Sequence, residues 1–481
     1  MNRPLRHVWL VISVLFALLF ASTTYFQVIA QGRLNADGRN ARAIYNEFGR
    51  HRGPIVVDGE AVASSSESDD TYGYQRSYDP GSLYAHATGY YSVVYGFSGI
   101  ENALNDTLSG EADALFYQRI SDILSGEQGQ GATVELTLDS GAQRAAAEAM
   151  GDRKGAVVAL DPETGAILAM VSTPSYDPNE LASHSSSEVQ QAWSELNADE
   201  DSPLTNRAIS GDLYPPGSSF KLVVAASALE TGEYTPDTVI PGPGTYTLPN
   251  TSSVMNNHAG GNQEACGPND ESTLMSALEQ SCNTSFALLA NELGEDELSA
   301  TAEEFGFGQD LSIPMSVTPS TMGSDLNSAQ LASTGIGQYD TRVTPMQMAM
   351  VAAGAANDGV VMQPQLVQEV RTNDLSTITA LSPREQGQPM SASNAALLRQ
   401  MMVGVVEDGT GTAAAIDGVE VGGKTGTAEW GEDRAAHSWF VGYADAGDQQ
   451  VAVAVVVEEG GYGSTTAAPV AQDVMEAVVG G

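Results

Sequence analysis

One apolar run near the N-terminus divides this chain in two. Arg3, Arg6 and His7 precede Val8–Ala21 (VWLVISVLFALLFA), and a softer stretch, STTYFQVIA, carries the run to Ala30. The 23 residues from 8 to 30 hold no formal charge, and about 20 suffice to cross a bilayer. Positive charge ahead of the run keeps that end in the cytoplasm. The expectation is a single-pass protein of the cell membrane: residues 1–7 a cytoplasmic tail, 8–30 the anchor, and the bulk of the chain extracytoplasmic. A cleaved signal peptide is the alternative, with Val28-x-Ala30 as a weak cleavage site.

An outside location changes how the composition is read. The chain has 61 acidic and 20 basic side chains, a net charge of −41. Bases are what is missing: Arg occurs 17 times and Lys only at Lys154, Lys221 and Lys424. Such acidity argues against a nucleic-acid partner, which needs a basic footprint. It suits high external salt, where screening shortens the range of self-repulsion. With 42% hydrophobic residues, 481 residues can build two or three domains. Cys266 and Cys282 form an even pair on the oxidising side, which favours a disulfide. Closing a loop of about 15 residues would stabilise by ~3 kcal/mol. Two buried free thiols are the alternative; zinc needs about four ligands and only His258 lies near.

Residues 31–53 form a locally basic collar (Arg33, Arg39, Arg42, Arg50, Arg52) that could meet anionic lipid or a membrane partner; a solvated first strand and linker is the equal alternative. Residues 54–125 read as a modest mixed domain, with SSSESDD at 64–70 as a loop. SGEQGQGA at 125–132 reads as a linker. From Val134, VELTLD alternates as a strand and SGAQRAAAEAM suits a helix. GAVVALDPETGAILAMVSTP reads as two strands around a turn. Residues 221–231, 273–293 and 344–356 suit helices. SWFVGYADAGDQQVAVAVVVEE gives two more strands, and Val470, Val474 and Val478 share one face of a closing helix. Strands at both ends with helices between predict an α+β fold, an antiparallel sheet built from both ends of the segment.

Three short elements carry chemistry. In YPPGSSFKLVVAASALETG, Ser218 and Lys221 are three apart and share a helix face, whereas Ser219 points elsewhere. That spacing selects Ser218 as nucleophile and Lys221 as its base. A lysine must lose its proton to act so, and burial or a neighbouring cation lowers its pKa. In Ser281-Cys282-Asn283, a hydroxyl that can relay a proton stands two residues from an amide that can bond a peptide backbone on both sides. In Lys424-Thr425-Gly426-Thr427, Gly426 leaves room for a second backbone, and Lys424 with the two hydroxyls suits a carboxylate. Gly418-x4-Gly423-Lys424-Thr425 also matches a phosphate-binding loop, but that motif needs a helix after its Lys, and TGTAEWGEDRAAH predicts none.

Ser-x-x-Lys, Ser-x-Asn and Lys-Thr-Gly, 63 and then 143 residues apart, are the signature of penicillin-binding proteins and serine β-lactamases. The chain resembles the class B penicillin-binding proteins, and within them the penicillin-binding protein A group of actinobacteria. Asn206-Arg207-Ala208, Gly335-Ile336-Gly337-Gln338, Thr344-Pro345 and His437-Ser438-Trp439-Phe440 look like family landmarks. The resemblance implies a transpeptidase domain of penicillin-binding/β-lactamase-like fold over 131–481, after a small pedestal of dimerisation type over 31–130. It implies attack by Ser218 on a stem peptide ending D-Ala-D-Ala, with Lys221 taking the proton. Ser281, with Lys424, would pass a proton to the departing D-Ala. The N–H groups of Ser218 and Thr427 would form an oxyanion hole. Asn283 would align the peptide, and Lys424, Thr425, Gly426 and Thr427 would hold its carboxylate end. An amine of a second stem would then take the acyl group, giving a cross-link in wall synthesis, division and shape. β-Lactams would be trapped on Ser218. No metal or organic cofactor is implied. About 100 residues between anchor and linker leave no room for a glycosyltransferase, so a separate multi-spanning glycan polymerase is implied as partner. No wall-binding module is expected after the closing helix. Hydrolytic acyl transfer, as a D,D-carboxypeptidase or β-lactamase, and a non-catalytic sensor or scaffold are the alternatives.

Overall fold

A computed structural model describes residues 2–30, 45, 47–116, 129–257, 264–429, 431 and 434–480. Helix Asn2–Thr24 runs on into a π-helical turn, Tyr25–Ile29. Within it Leu5–Ile29 is long and apolar enough to cross a membrane, and none of the span is buried against the rest of the chain.

Beyond that helix the first layer is a six-stranded sheet. Its order is Thr377–Ala380, Val367–Arg371, Thr133–Leu136, Ile55–Val57, Glu60–Glu67, Tyr74–Tyr78. Two of its strands come from residues 367–380, so the pedestal and the body of the chain share one sheet. Ser64 to Glu67, expected in a loop, belong to the strand Glu60–Glu67, paired antiparallel with Tyr74–Tyr78. Short hydroxyl side chains tolerate the solvent face of a hairpin, and Ser64 Oγ meets Ser77 Oγ at 3.3 Å across it.

The basic collar divides. Arg33, Arg39 and Arg42 lie outside the described residues. Arg50 pairs with Glu111. Arg52 is buried, so lipid cannot reach it: with Arg76 it grips Glu101, which is 0% exposed. Burial pushes the Glu101 carboxyl up, but Arg76 and Arg52 outweigh it and hold the group below the ordinary glutamate range.

The second body is a five-stranded antiparallel sheet, in the order Glu420–Ala428, His437–Asp445, Gln450–Val457, Gly155–Leu160, Ile167–Thr173. Its strands come from both ends of the segment, as the order of elements in the sequence implies. Helices Ser140–Met150 and Ala467–Val479 cover one face, with Val470 and Val474 buried in that core. Helix Pro345–Ala356 packs on the other face; helix Lys221–Glu230 packs among helices Ala392–Glu407, Glu295–Glu304 and Asn283–Leu293 and is buried along nearly its whole length. Glu420–Ala428 has a neighbour on one side only, so its outer edge is free to build a site. Thr425 to Ala428 continue this strand, so no helix follows Lys424 and the phosphate-loop match fails.

The segment 273–293 departs from expectation. It is two helices, Leu274–Glu279 and Asn283–Leu293, broken at Ser281, whose φ is +59°. Apolar spacing on both sides is helical, and no breaker residue marks the gap. The break comes from tertiary partners. Ser281 O, which an unbroken helix would use four residues on, accepts from Lys221 Nζ at 2.8 Å. Cys282, next in line, is bonded to Cys266.

Candidate active site

The nucleophile's position is set by backbone contacts. Pro215 and Pro216 hold the chain out of helix, and Gly217–Phe220 makes a 3-10 turn that leads into the Lys221 helix. Trp439 Nε1 donates to Pro215 O at 3.1 Å, and Gly217 N donates to Gly337 O at 3.0 Å. A Cβ on Gly337 would lie 2.1 Å from Gly217 O, so a side chain there is excluded. On the strand side a Cβ on Gly426 would come within 2.8 Å of Trp439 Cβ and 2.9 Å of Pro216 O. The turn bearing Ser218 is thus held between the Gly335–Gln338 segment and the free edge of Glu420–Ala428. Ser219 Oγ turns back to Pro216 O at 2.7 Å and is buried, which leaves Ser218 facing a cleft of about 500 Å³. Ser281, Asn283, Thr425 and Thr427 line the same cleft.

Lys221 is 0% exposed beneath Ser218. Its Nζ donates to Ser281 O and to Asn283 Oδ1, each at 2.8 Å, and lies 3.2 Å from Ser281 Oγ. Three oxygens from the Ser281–Asn283 junction thus lie within hydrogen-bond reach of the amine. Burial first, then the charge of Lys424, pushes the Lys221 ammonium well below the ordinary lysine range. Lys424 is also 0% exposed, and burial lowers it to about 7. It does not line the cleft: its Nζ donates to Thr425 O at 3.1 Å, underneath the strand. It therefore sets the electrostatics of Lys221 from below, while Thr425 and Thr427 present their hydroxyls to the cleft.

The wall opposite the strand carried no sequence signal. Asn283 Nδ2 donates to Asn256 O at 2.9 Å, and Asn257 Oδ1 accepts from Thr284 N at 3.0 Å. These bonds seat Val254 to Asn257 along the cleft. The Cys266–Cys282 disulfide, with both residues buried, ties the same wall to the Ser281–Asn283 junction. Thr410 Oγ1, also unforeseen, meets Thr425 Oγ1 at 2.6 Å. The Gly335–Gln338 motif did foreshadow Ile336 and Gln338, which line the cleft. Lys154, without a role in the sequence reading, pairs with Glu458 at 3.4 Å and Asp201 at 3.5 Å. Glu458 also accepts from Arg207 and from Tyr214 OH, so Lys154 belongs to a polar cluster behind the nucleophile's turn.

Comparison with known proteins agrees with this arrangement. Residues 155–476 match the penicillin binding protein transpeptidase domain, and residues 52–134 match the penicillin binding protein A dimerisation domain. The chain is 41% identical to the peptidoglycan D,D-transpeptidase PbpA of Mycolicibacterium smegmatis, over 100% of this chain and 99% of that one. It is 39% identical to PbpA of Mycobacterium tuberculosis, over the full length of both. Among solved structures, the ceftriaxone acyl-enzyme complex of penicillin-binding protein A from M. tuberculosis superposes with a TM-score of 0.86 at 39% identity, covering 90% of this chain and 99% of that one. The penicillin G acyl-enzyme complex of the same protein gives 0.84 at 39% identity, covering 89% and 99%.

Proposed function

The chain belongs to the penicillin-binding protein family, in its penicillin-binding protein A group, and from that premise we propose how its cleft works as a serine-type peptidoglycan D,D-transpeptidase. The observation that carries the reading is Lys221: a buried amine whose surroundings favour loss of its proton, held by Ser281 O and Asn283 Oδ1 and 3.2 Å from the Ser281 hydroxyl.

Ser218 attacks the carbonyl of the penultimate D-Ala, and Lys221 takes the Oγ proton. The carbonyl oxygen gains charge as it does so. It is received by the N–H groups of Ser218 and Thr427, an arrangement whose donors are typically worth about 3–4 kcal/mol each. Ser281 Oγ, 3.2 Å from Lys221 Nζ, relays the proton to the amine of the departing D-Ala. Asn283 aligns the peptide. Thr425 and Thr427 receive the terminal carboxylate, Gly426 admits the close packing of the nucleophile's turn, and Lys424 lowers the Lys221 pKa from beneath. The acyl group on Ser218 then passes to an amine of a second stem. β-Lactams acylate the same oxygen.

Residues 8–30 anchor the chain in the cell membrane, with the bulk outside, where the disulfide is stable. We divide the outer part into a pedestal, 31–130, and a transpeptidase domain, 131–481, which share the six-stranded sheet. The pedestal matches a dimerisation domain, so glycan strands come from a separate polymerase, a multi-spanning membrane protein.

Fluorescent penicillin tests the nucleophile: wild type should label covalently and Ser218→Ala should not. Equal labelling of both would reject Ser218. Incubation with a stem-peptide donor and a D-amino-acid acceptor tests the transfer. Hydrolysis product alone would convert the reading to a D,D-carboxypeptidase.

A further inference from the structure

A carboxylate in the cleft would meet no cation. No basic side chain is among the described residues that line it, and Lys424 lies beneath the strand with its Nζ on Thr425 O. Neutral donors then face the negative charge, and how they are aimed decides how well they hold it. Thr425 and Thr427 supply two hydroxyls. A third stands beside them: Thr410 lines the same cleft, and its Oγ1 lies 2.6 Å from Thr425 Oγ1.

Thr410 is held in place from two sides. It sits in Gly409-Thr410-Gly411, just past the end of helix Ala392–Glu407. Its N–H donates to Glu279 O at 3.3 Å, at the end of helix Leu274–Glu279, and Gly411 N donates to Val405 O at 2.8 Å. A Cβ on Gly409 would stand 2.6 Å from Glu279 O, so the chain passes too close there for a side chain. Glu279 comes two residues before Ser281. The backbone of Thr410 is thus fixed to the segment that carries Ser281, and its side chain to the strand that carries Thr425.

Resting on the transpeptidase reading, we propose that Thr410 is a specificity residue for the donor's terminal carboxylate: its hydroxyl donates to Thr425 Oγ1 and so aims the Thr425 proton at the carboxylate. A hydroxyl has one proton to give. Two hydroxyls 2.6 Å apart spend one proton on each other and keep one for a ligand. With Thr425 as the acceptor of the pair, its own proton is the one kept, and the bond it receives polarises it. Without Thr410 that proton turns among about three staggered positions, and in the others a lone pair meets the carboxylate. A terminal amide gains less from this order, because it brings donors of its own and no full charge.

The test uses the full-length protein in detergent and a D-alanyl-thiolactate donor, in which sulfur replaces the nitrogen of the departing D-Ala. The donor ends either in a carboxylate or in a primary amide. kcat/KM for thiol release is measured for each, and the quantity read is the acid-to-amide ratio, which cancels any effect common to Ser218 or to the fold. Thr410→Val keeps the branched shape and removes the hydroxyl. It should lower the ratio about fivefold: about threefold from lost order among the rotor positions and the rest from lost polarisation. Thr410→Ser restores the hydroxyl and should bring the ratio back to within about twofold of wild type. Equal losses for both donors in the Val variant, or no loss for either, would overturn the assignment while leaving the transpeptidase reading intact. A Ser variant with the ratio of the Val variant would overturn it as well. No acyl-enzyme on Ser218 of the wild type with either donor would overturn the transpeptidase reading and this assignment with it.

Discussion

The side-chain carbonyl of Asn283 accepts a hydrogen bond from Lys221 at 2.8 Å, which joins the base beneath Ser218 to the opposite wall of the cleft. The charge at position 283 therefore reaches the base directly. Asn283→Asp places a carboxylate against Lys221 and favours its protonated form, by about 1–3 pKa units for an opposite charge this close. The acid limb of the pH–rate profile for penicillin acylation should move to higher pH by about that amount. A limb that stays in place would mean that Lys221 is not the group titrating there.

Lys424 offers a stability test with a defined sign. Its folded pKa, about 7, lies below the ordinary lysine value of 10.5, so the unfolded chain binds the extra proton between these limits. Burying the charged form costs most at and below pH 7. The cost shrinks as pH rises and vanishes near 10.5. Lys424→Met should raise the unfolding free energy by about 1–3 kcal/mol at pH 7, with the gain fading by pH 10. Penicillin acylation should slow sharply in the same variant. Unfolding curves at pH 6, 7, 8.5 and 10 would check the trend; equal gains at all four would remove the electrostatic account.

Gly426→Ala should act on the nucleophile without touching it. The new Cβ meets Pro216 O at 2.9 Å and Trp439 Cβ at 2.8 Å, backbone and core atoms that cannot swing aside. Overpacking of this kind typically costs about 1–3 kcal/mol. A loss of stability together with slowed acylation is expected. A stable, fully reactive variant would show that the turn does not need this contact.

The Cys266–Cys282 bond spans a sequence separation of 16. In the chain-entropy account a loop of this size stabilises by about 3 kcal/mol. Mild reduction, or Cys266→Ser with Cys282→Ser, should lower the denaturation midpoint accordingly. Intact mass should rise by about 2 Da on reduction, one hydrogen for each sulfur. No mass change would leave two free thiols beside Ser281.

The net charge of −41 should make the fold salt-dependent. Self-repulsion among acidic groups weakens as screening shortens from about 10 Å at 0.1 M to about 3 Å at 1 M. Thermal midpoints should climb over that range of NaCl, and a flat response would dismiss the link between acidity and salt.

Much of this was readable along the chain because it depends on near neighbours. A 23-residue apolar run needs only its own composition to form a helix long enough to cross a bilayer. Ser218 and Lys221 share a face because they are three apart, and apolar runs on either side of a turn in residues 155–173 and 438–459 announced four strands of the second sheet. Scarcity added weight: two of the three lysines in an acidic chain stand at Lys221 and Lys424.

What stayed hidden depends on residues far apart in sequence. Spacing could place Lys424 on a strand, but only packing shows it sealed under the cleft, where burial rather than a substrate sets its charge. The helix break at Ser281 follows from Lys221, 60 positions earlier, claiming its carbonyl, and from Cys266 holding Cys282. Lys154 acquires a role from Glu458, at the other end of the chain. The strands at 367–380 complete a sheet begun at residue 55. Residue types and their local order chose the chemistry; the desolvation that lowers a lysine's pKa so that it can shed its proton, and the apposition of groups from distant segments, exist only once the chain has closed around them.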